Sequence, residues 1–97
     1  MSIKNRKIMI IDDNKDITNL FKIFLECNGY SIDVYTNPLE AFNNFRKNSH
    51  DLIVLDLKMP KMDGITLYKK MKEIDNKVIF CLLLQILTIF NNYKKAL

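Results

Sequence analysis

Residues 54–64, VLDLKMPKMDG, are the stretch that decides the fold. An apolar run ends in Asp56, and the loop that follows contains a proline and two methionines and closes with Asp63 and Gly64. Short apolar runs bounded by turn residues are typical of a buried strand. Asp56 therefore places a carboxylate at the carboxyl end of such a strand, directly before a turn.

Patterns of strand and helix alternate on both sides of this stretch. Between the strand-like runs, apolar residues recur every three or four positions, as they do on one face of a helix. The runs themselves predict strands at residues 7–11, 31–35, 51–56 and 77–83.

Three amphipathic helices are predicted in the intervals between those strands. The first stops at Gly29, the second begins with Asn37 as its N-cap and Pro38 at its first position, and the third begins at Asp63. The residues that we expect to face inward are Ile17, Leu20, Phe21, Phe24 and Leu25 in the first helix, Leu39, Phe42 and Phe45 in the second, and Leu67, Met71 and Ile74 in the third.

The predicted order of elements is β-α-β-α-β-α-β, with strands that are apolar throughout. Such strands are covered on both faces, which predicts an α/β fold of three layers, αβα, around a parallel sheet. In open sheets of this kind, ligands gather at the carboxyl ends of the strands. Asp12, Asp13 and Asp56 lie at the ends of the first and third predicted strands, so they converge on one cleft if those strands are neighbours.

Composition and charge exclude several classes of protein. The 97 residues suffice for one domain, with 48% hydrophobic residues, 27% charged residues and a net charge of +4. The most apolar window, residues 78–90, is shorter than the about 20 residues that a bilayer requires, so we expect no membrane span. The amino terminus does not resemble a signal peptide, and we expect a cytoplasmic protein. The lysines lack interleaved aromatic residues, so we expect no direct binding of nucleic acid.

The cysteines and the histidine are predicted to have structural roles. Cys27 and Cys81 lie in apolar surroundings without metal-ligand spacing, so we expect two buried free thiols. His50 falls in the turn before the third predicted strand, where we expect a solvated loop residue rather than a phosphotransfer or metal-binding residue.

The convergence of three carboxylates has a chemical consequence. Like charges at close range repel, and each group tends to hold a proton unless a cation compensates. Mg²⁺ fits such a site because it takes one or two carboxylates and leaves room for phosphate oxygens. A carboxylate there is also able to attack phosphorus and form an aspartyl phosphate. The alternative is that Asp12, Asp13 and Asp56 each cap the helix or turn that follows them.

Two motifs at this separation resemble those of the receiver domain of two-component response regulators. They are IIDDN at residues 10–14 and VLDLKMPKMDG at residues 54–64, and the likeness covers about residues 5–83. The resemblance implies a single receiver domain at residues 5–97 with the flavodoxin-like strand order 2-1-3-4-5.

The same resemblance implies roles for the acidic residues. Asp56 would accept a phosphoryl group from a sensor histidine kinase or a phosphotransfer protein in a phosphorelay. Asp12 and Asp13, together with Asp56 and the backbone carbonyl of Lys58, would hold Mg²⁺. The module would not be an enzyme, beyond Mg²⁺-assisted phosphorylation of itself. The residues that would shape the supporting loop are Met59, Pro60 and Gly64.

The chain departs from the receiver pattern after the fourth predicted strand. A Ser or Thr hydroxyl normally closes that strand, but Leu84 stands there, followed by Gln85. Residues 84–97 form an atypical apolar tail in place of the usual fourth-helix region, and the fifth strand, its lysine and the fifth helix are not reached. We therefore expect the fourth strand to be an exposed edge, and the chain to be poorly soluble or to associate with itself through that strand.

Codon degeneracy offers one explanation for this departure. Residues 83–90 can be encoded so that a shifted reading frame spells Thr-Ala-Asn-Leu-Asp-Tyr-Phe, a receiver-like continuation. A compensated frameshift or sequencing error is therefore an alternative to ordinary divergence, and resequencing decides between them.

Two other functions stay open. A phosphorylation-independent interaction module, or a nonfunctional receiver fragment, is the main alternative, because the acceptor half of the site is intact while the response half is not. A Mg²⁺-dependent aspartyl-phosphate hydrolase uses the same chemistry, but such enzymes favour an acid two residues after the nucleophile, where this chain has Lys58.

Overall fold

A parallel sheet of four strands, flanked by three helices, forms the described part of the chain. The computed structural model describes residues 6–59 and 62–83. The strand order is β2-β1-β3-β4, and every pairing is parallel, which confirms the predicted α/β class and the order of these four strands. The elements in chain order are β1 (Lys7–Ile11), α1 (Lys15–Cys27), β2 (Ser31–Tyr35), α2 (Pro38–Asn44), β3 (Leu52–Asp56), α3 (Gly64–Ile74) and β4 (Ile79–Leu83).

The central strand β1 separates two hydrophobic clusters, because its side chains alternate between the faces of the sheet. Ile8 and Ile10 point to one face, where Phe21 of α1 packs against them. Met9 and Ile11 point to the other face, into the larger cluster beneath α2 and α3. Helices therefore lie on both faces, which confirms the three layers. Other buried members of the larger cluster are Ala41, Phe45, Ile53, Leu55, Met59, Leu67, Met71 and Val78.

The structure confirms the cap residues from which the starts and ends of the helices were predicted. The Asn37 side chain accepts a hydrogen bond from the Leu39 N–H at the start of α2, and the Asp63 side chain accepts one from the Ile65 N–H at the start of α3. Gly29, with a φ of 91°, follows α1 in the left-handed conformation that glycine adopts without strain.

Three side chains that the helical patterns place inside are exposed. Leu20 of α1 is 44% exposed, Phe24 is 64% exposed, and Leu39 of α2 is 49% exposed. The apolar stripe of α1 is wider than the face that contacts the sheet. The helix α2 has only seven residues, and it reaches the core through Ala41 and its C-cap residue Phe45.

Both cysteines are exposed free thiols, so the prediction of burial is wrong. Cys27 is the last residue of α1, beyond the part of the helix that packs on the sheet. Cys81 lies in β4, whereas α1 packs mainly against β2, at the opposite edge of the described sheet. Ile79 of β4 is 66% exposed. The expectation that every strand is covered on both faces therefore fails at β4.

His50 is buried, with 7% of its surface exposed, which contradicts the prediction of a solvated residue. Its Nε2 lies 2.7 Å from Asp33 Oδ2, and its Nδ1 lies 2.8 Å from Ser49 Oγ. Both ring nitrogens thus have polar partners, which makes burial of the ring tolerable. Asp33 belongs to β2, so the pairing depends on the sheet and has no local signal in the sequence.

Replacing His50 with alanine is expected to lower the free energy of unfolding by about 1–3 kcal/mol, because Asp33 and Ser49 each lose one polar partner in a partly buried site. Urea denaturation measures the change. Lys47→Ala, at an exposed neighbouring position, is the control and should stay within about 0.5 kcal/mol of the parent. Equal stability of the two variants would contradict the structural role of His50.

Within the described ranges, none of the helices has the length and apolar character needed to cross a membrane.

Candidate functional site

The carboxyl ends of β1 and β3 are adjacent and bring acidic residues together. Ile11 of β1 pairs with Leu55 of β3, so the residues that follow them, Asp12 and Asp56, lie side by side at one edge of the sheet. The Asp12 N–H donates to the Tyr35 carbonyl at 3.1 Å, which continues the β1–β2 pairing and holds Asp12 in place.

The acidic cluster consists of Asp12, Asp13 and Asp56. Each offers a carboxylate oxygen, and these oxygens all lie within 4.8 Å of one another. Asp12 and Asp56 are buried, with 1% and 5% of their surface exposed, whereas Asp13 is exposed. The predicted convergence of the three carboxylates is confirmed, and Asp13 marks the side of the cluster that opens to solvent.

Backbone N–H groups orient the two buried carboxylates. The Asn14 N–H donates to Asp12 Oδ1 at 3.0 Å, and the Lys58 N–H donates to Asp56 Oδ1 at 3.0 Å. Each carboxylate thus accepts a hydrogen bond from the backbone N–H of the residue two positions later, as in an Asx turn. The second oxygen of Asp12, Oδ2, is buried and has no hydrogen-bond partner among the residues described. A buried carboxylate oxygen without a donor is costly, and a bound cation would satisfy it.

The protonation of Asp12 reflects this environment. The pKa of the Asp12 carboxyl is raised from 3.8 to about 7, chiefly by burial and also by the negative charges of Asp56 and Asp13. The hydrogen bond from the Asn14 backbone opposes the shift. An aspartate with this pKa exchanges its proton readily for a metal ion near neutral pH.

Helix capping does not account for the acidic residues. The side chain of Asn14 caps α1 by accepting from the Ile17 N–H at 3.1 Å, and Asp63 caps α3. None of the three clustered aspartates therefore caps a helix, but Asp12 and Asp56 do cap the turns that follow them, as the alternative expected for these two residues. Asn14 both caps α1 and donates to Asp12, and the sequence reasoning missed it. Its position directly after two aspartates, at the start of a helical pattern, was the available signal.

The loop after β3 packs closely against the start of α3. Met59 is buried in the larger hydrophobic cluster, and Met62 packs against that cluster. A Cβ atom on Gly64 would lie 2.6 Å from the Cα of Leu57 and 3.0 Å from the carbonyl oxygen of Asp56. Glycine at position 64 thus lets the helix approach the backbone of the site. Two further predicted site residues, Pro60 and Leu84, lie outside the described residues, as does the tail at residues 84–97.

Comparison with known proteins identifies a family model and curated relatives that match this chain. The family model of the response regulator receiver domain matches residues 8–93. Sporulation initiation phosphotransferase F of Bacillus subtilis is 39% identical over 74 residues, which are 76% of this chain and 60% of that protein. The chain spans 8%, 32% and 60% of the lengths of three curated relatives that it matches.

Solved structures share the fold. The non-phosphorylated HemR receiver domain from Leptospira biflexa superposes with a TM-score of 0.80 at 24% identity, over 93% of this chain and 75% of that one. A chain from the crystal structure of histidine kinase ThkA in complex with response regulator protein TrrA has a TM-score of 0.75 at 30% identity, over 82% of this chain and 69% of that one. The family match covers most of the chain, and the 2-1-3-4 sheet carries aspartates at the ends of two neighbouring strands. This chain therefore belongs to the response regulator receiver domain family.

Proposed function

We propose that this chain is a phosphoacceptor module in two-component phosphorelay signalling, with Asp56 as the acceptor and Mg²⁺ as the cofactor. The observation that carries the proposal is the cluster of Asp12, Asp13 and Asp56, in which one buried oxygen of Asp12 lacks a donor among the described residues. Oxygen ligands of this kind suit a hard divalent cation, and the exposed side of the cluster leaves room for a phosphoryl group.

Each residue of the site has a proposed role. Asp12 and Asp13 hold Mg²⁺ together with Asp56 and the backbone carbonyl of Lys58. When bound, Mg²⁺ neutralises negative charge on the phosphoryl oxygens. The Lys58 N–H bonds Asp56 Oδ1 and keeps the acceptor carboxylate in one orientation. The close approach of Gly64 supports the backbone on which that N–H sits.

The reaction that we propose is transfer of a phosphoryl group from nitrogen to oxygen. A carboxylate oxygen of Asp56 forms a bond to phosphorus while the phosphorus–nitrogen bond of a phosphohistidine breaks. The electron pair of the broken bond returns to the imidazole, and Asp56 becomes an acyl phosphate. Such a transfer depends mainly on positioning and charge neutralisation, which the acidic cluster and its metal ion provide.

The proposed donor is a sensor histidine kinase or a phosphotransfer protein. A chain of similar structure comes from a complex of a histidine kinase with a response regulator, which supports a kinase as the partner. We also propose that the protein works in the cytoplasm, because Cys27 and Cys81 are free thiols and reducing compartments keep thiols in that form.

Leu84 is expected to make the reaction slow. It stands where related domains carry a hydroxyl, and an apolar side chain donates no hydrogen bond to the phosphoryl oxygens. Loss of one such donor typically costs about 3 kcal/mol of transition-state stabilisation. Acceptance of a phosphoryl group therefore depends chiefly on Mg²⁺ and the three aspartates.

Binding of a phosphoryl mimic tests the proposal. Beryllofluoride is expected to bind the parent chain only when Mg²⁺ is present, and calorimetry or NMR shift mapping should detect binding at Asp56. The Asp56→Asn variant should bind none. Asp16→Asn, at an exposed position in the first turn of α1, makes the same chemical change outside the cluster and should behave like the parent.

A folded parent chain that binds neither Mg²⁺ nor beryllofluoride would contradict the proposal. The phosphorylation-independent interaction module, or the nonfunctional receiver fragment, would then describe the protein better.

A further inference from the structure

The strand β4 forms an edge of the sheet within the described residues, where its only pairing is with β3. Its sequence, IFCLL, contains neither a charged residue nor proline, which are residues that usually protect an edge strand from other chains. Ile79 is 66% exposed and Cys81 is exposed. An apolar, unprotected edge of this kind offers its backbone to another strand.

Two hydrogen bonds fix which backbone groups of β4 face β3. The Ile79 N–H donates to the Asp51 carbonyl at 3.1 Å. At the other end of the strand, the Leu83 carbonyl accepts from the Leu57 N–H at 2.8 Å. Both terminal residues of β4 therefore direct their peptide groups inward, toward the sheet.

The groups that face outward follow from the alternation of a strand. In a parallel pair, every second residue bonds the same neighbour, so Cys81 also faces β3 and the residues between face away. Phe80 and Leu82 thus direct their N–H and C=O groups out from the edge. These two residues lie symmetrically about Cys81.

We propose that two copies of this chain pair through β4, antiparallel, about a twofold axis at Cys81. In this register Phe80 of one copy lies opposite Leu82 of the other, and the two pairs exchange four backbone hydrogen bonds. Ile79 lies opposite Leu83, so all five residues of each strand overlap. The two four-stranded sheets become one continuous sheet of eight strands.

An identical strand is the partner that this edge fits best. The outward groups of β4 are symmetric about its central residue, so a second copy in antiparallel orientation satisfies all of them. The strand carries no charge that would select a different partner, and its apolar side chains suit each other across the pair. The pairing involves neither Asp56 nor the metal site, so it is independent of the proposed phosphorylation.

The proposed register makes a specific statement about Cys81. Ile79, Cys81 and Leu83 share one face of the sheet. Because the twofold axis passes at Cys81, the two Cys81 residues of the dimer lie directly opposite each other. They form a pair that exchanges no backbone hydrogen bonds. The Cα atoms of such a pair are about 4.5 Å apart. That separation lies within the range of a disulfide.

Cysteine crosslinking of the full chain tests the register. Diamide, a thiol oxidant, takes two electrons and two protons from a pair of thiols and leaves a disulfide. The Cys27→Ser variant, which keeps Cys81, is expected to form a covalent dimer on a non-reducing gel. The Cys81→Ser variant, which keeps the exposed Cys27, is expected to stay monomeric on the gel.

Sedimentation tests the pairing without oxidation. The parent and Cys81→Ser should both sediment as dimers, whereas Cys81→Lys places two ammonium groups opposite each other and should weaken the dimer about fivefold. Cys27→Lys, the matched control, should leave the dimer intact. A parent chain that is monomeric at tens of micromolar, or a crosslink that forms equally well through Cys27, would overturn the proposal. The crosslinking comparison decides the matter even if Cys81→Lys does not fold.

Discussion

Replacing Asp12 with asparagine is expected to weaken Mg²⁺ binding at least about tenfold, because loss of even an outer-shell partner of a metal site typically weakens binding about 10–100-fold. The substitution keeps the size of the side chain and an oxygen that can accept from the Asn14 N–H. It removes the negative charge and the buried oxygen that has no donor within the described residues. The expected loss therefore reflects metal ligation rather than disruption of the turn.

Isothermal calorimetry with MgCl₂ measures this affinity. The Asp16→Asn variant again serves as the control, since Asp16 lies in the first turn of α1, four residues after Asp12, but outside the cluster. An unchanged Mg²⁺ affinity in Asp12→Asn would show that Asp12 is not a ligand.

The metal-free protein is expected to show a pH dependence of stability that this variant lacks. The pKa of Asp12 is about 7 in the folded chain, against an ordinary value of 3.8. Between these values the folded state keeps a proton that the unfolded state releases, so the free energy of unfolding falls as the pH rises from about 4 to about 7. Asp75 does not contribute to this fall in stability between about pH 4 and about pH 7. The N–H groups of Asn48 and Lys77 lower the pKa of its carboxyl below the ordinary value of 3.8, so it titrates at lower pH.

Urea denaturation in EDTA across this pH range measures the effect. The contribution of Asp12 is fully present below the unfolded pKa and is lost as the pH rises through the folded pKa. The parent should therefore lose stability as the pH rises, and Asp12→Asn should lose less. The same slope in both proteins would contradict the raised pKa.

Replacing Gly64 with alanine is expected to lower the free energy of unfolding by about 1–3 kcal/mol, as overpacking typically does. The added Cβ would lie 2.6 Å from the Cα of Leu57, and backbone cannot move aside as a flexible side chain can. The start of α3 or the loop after Asp56 must shift. Because the Lys58 N–H orients Asp56, the same shift should also slow phosphorylation.

Urea denaturation and the rate of phosphoryl uptake measure the two effects of Gly64→Ala. Ile65→Ala, at the next residue of α3 and at an exposed position, is the control and should change stability by no more than about 0.5 kcal/mol. A Gly64→Ala variant as stable as this control would show that the close approach of α3 to Leu57 is not required.

Local patterns were sufficient to predict the elements that position the site. The strand bounds of β1 and β2, the caps Asn37 and Asp63, and the terminating Gly29 were all predicted, because each depends on residues within a few positions of one another. The convergence of the three aspartates was predicted as well, because parallel strands bring their carboxyl ends to one edge of the sheet.

Most of the wrong predictions concern contacts that no local pattern contains. The burial of His50 depends on Asp33 in β2, which becomes its neighbour only in the folded sheet. The exposure of Cys81 depends on which strands α1 covers, and an apolar strand does not indicate that. The exposure of Leu39 depends on the shortness of α2. The orphan oxygen of Asp12 was likewise visible only once the direction of each hydrogen bond was known.

Intact mass spectrometry after incubation with acetyl phosphate and Mg²⁺ tests the central claim most directly. The parent chain should gain one phosphoryl group, and the Asp56→Asn variant should gain none under the same conditions. A folded parent that gains no phosphoryl group, or a variant that gains as much as the parent, would contradict the assignment of Asp56 as the acceptor.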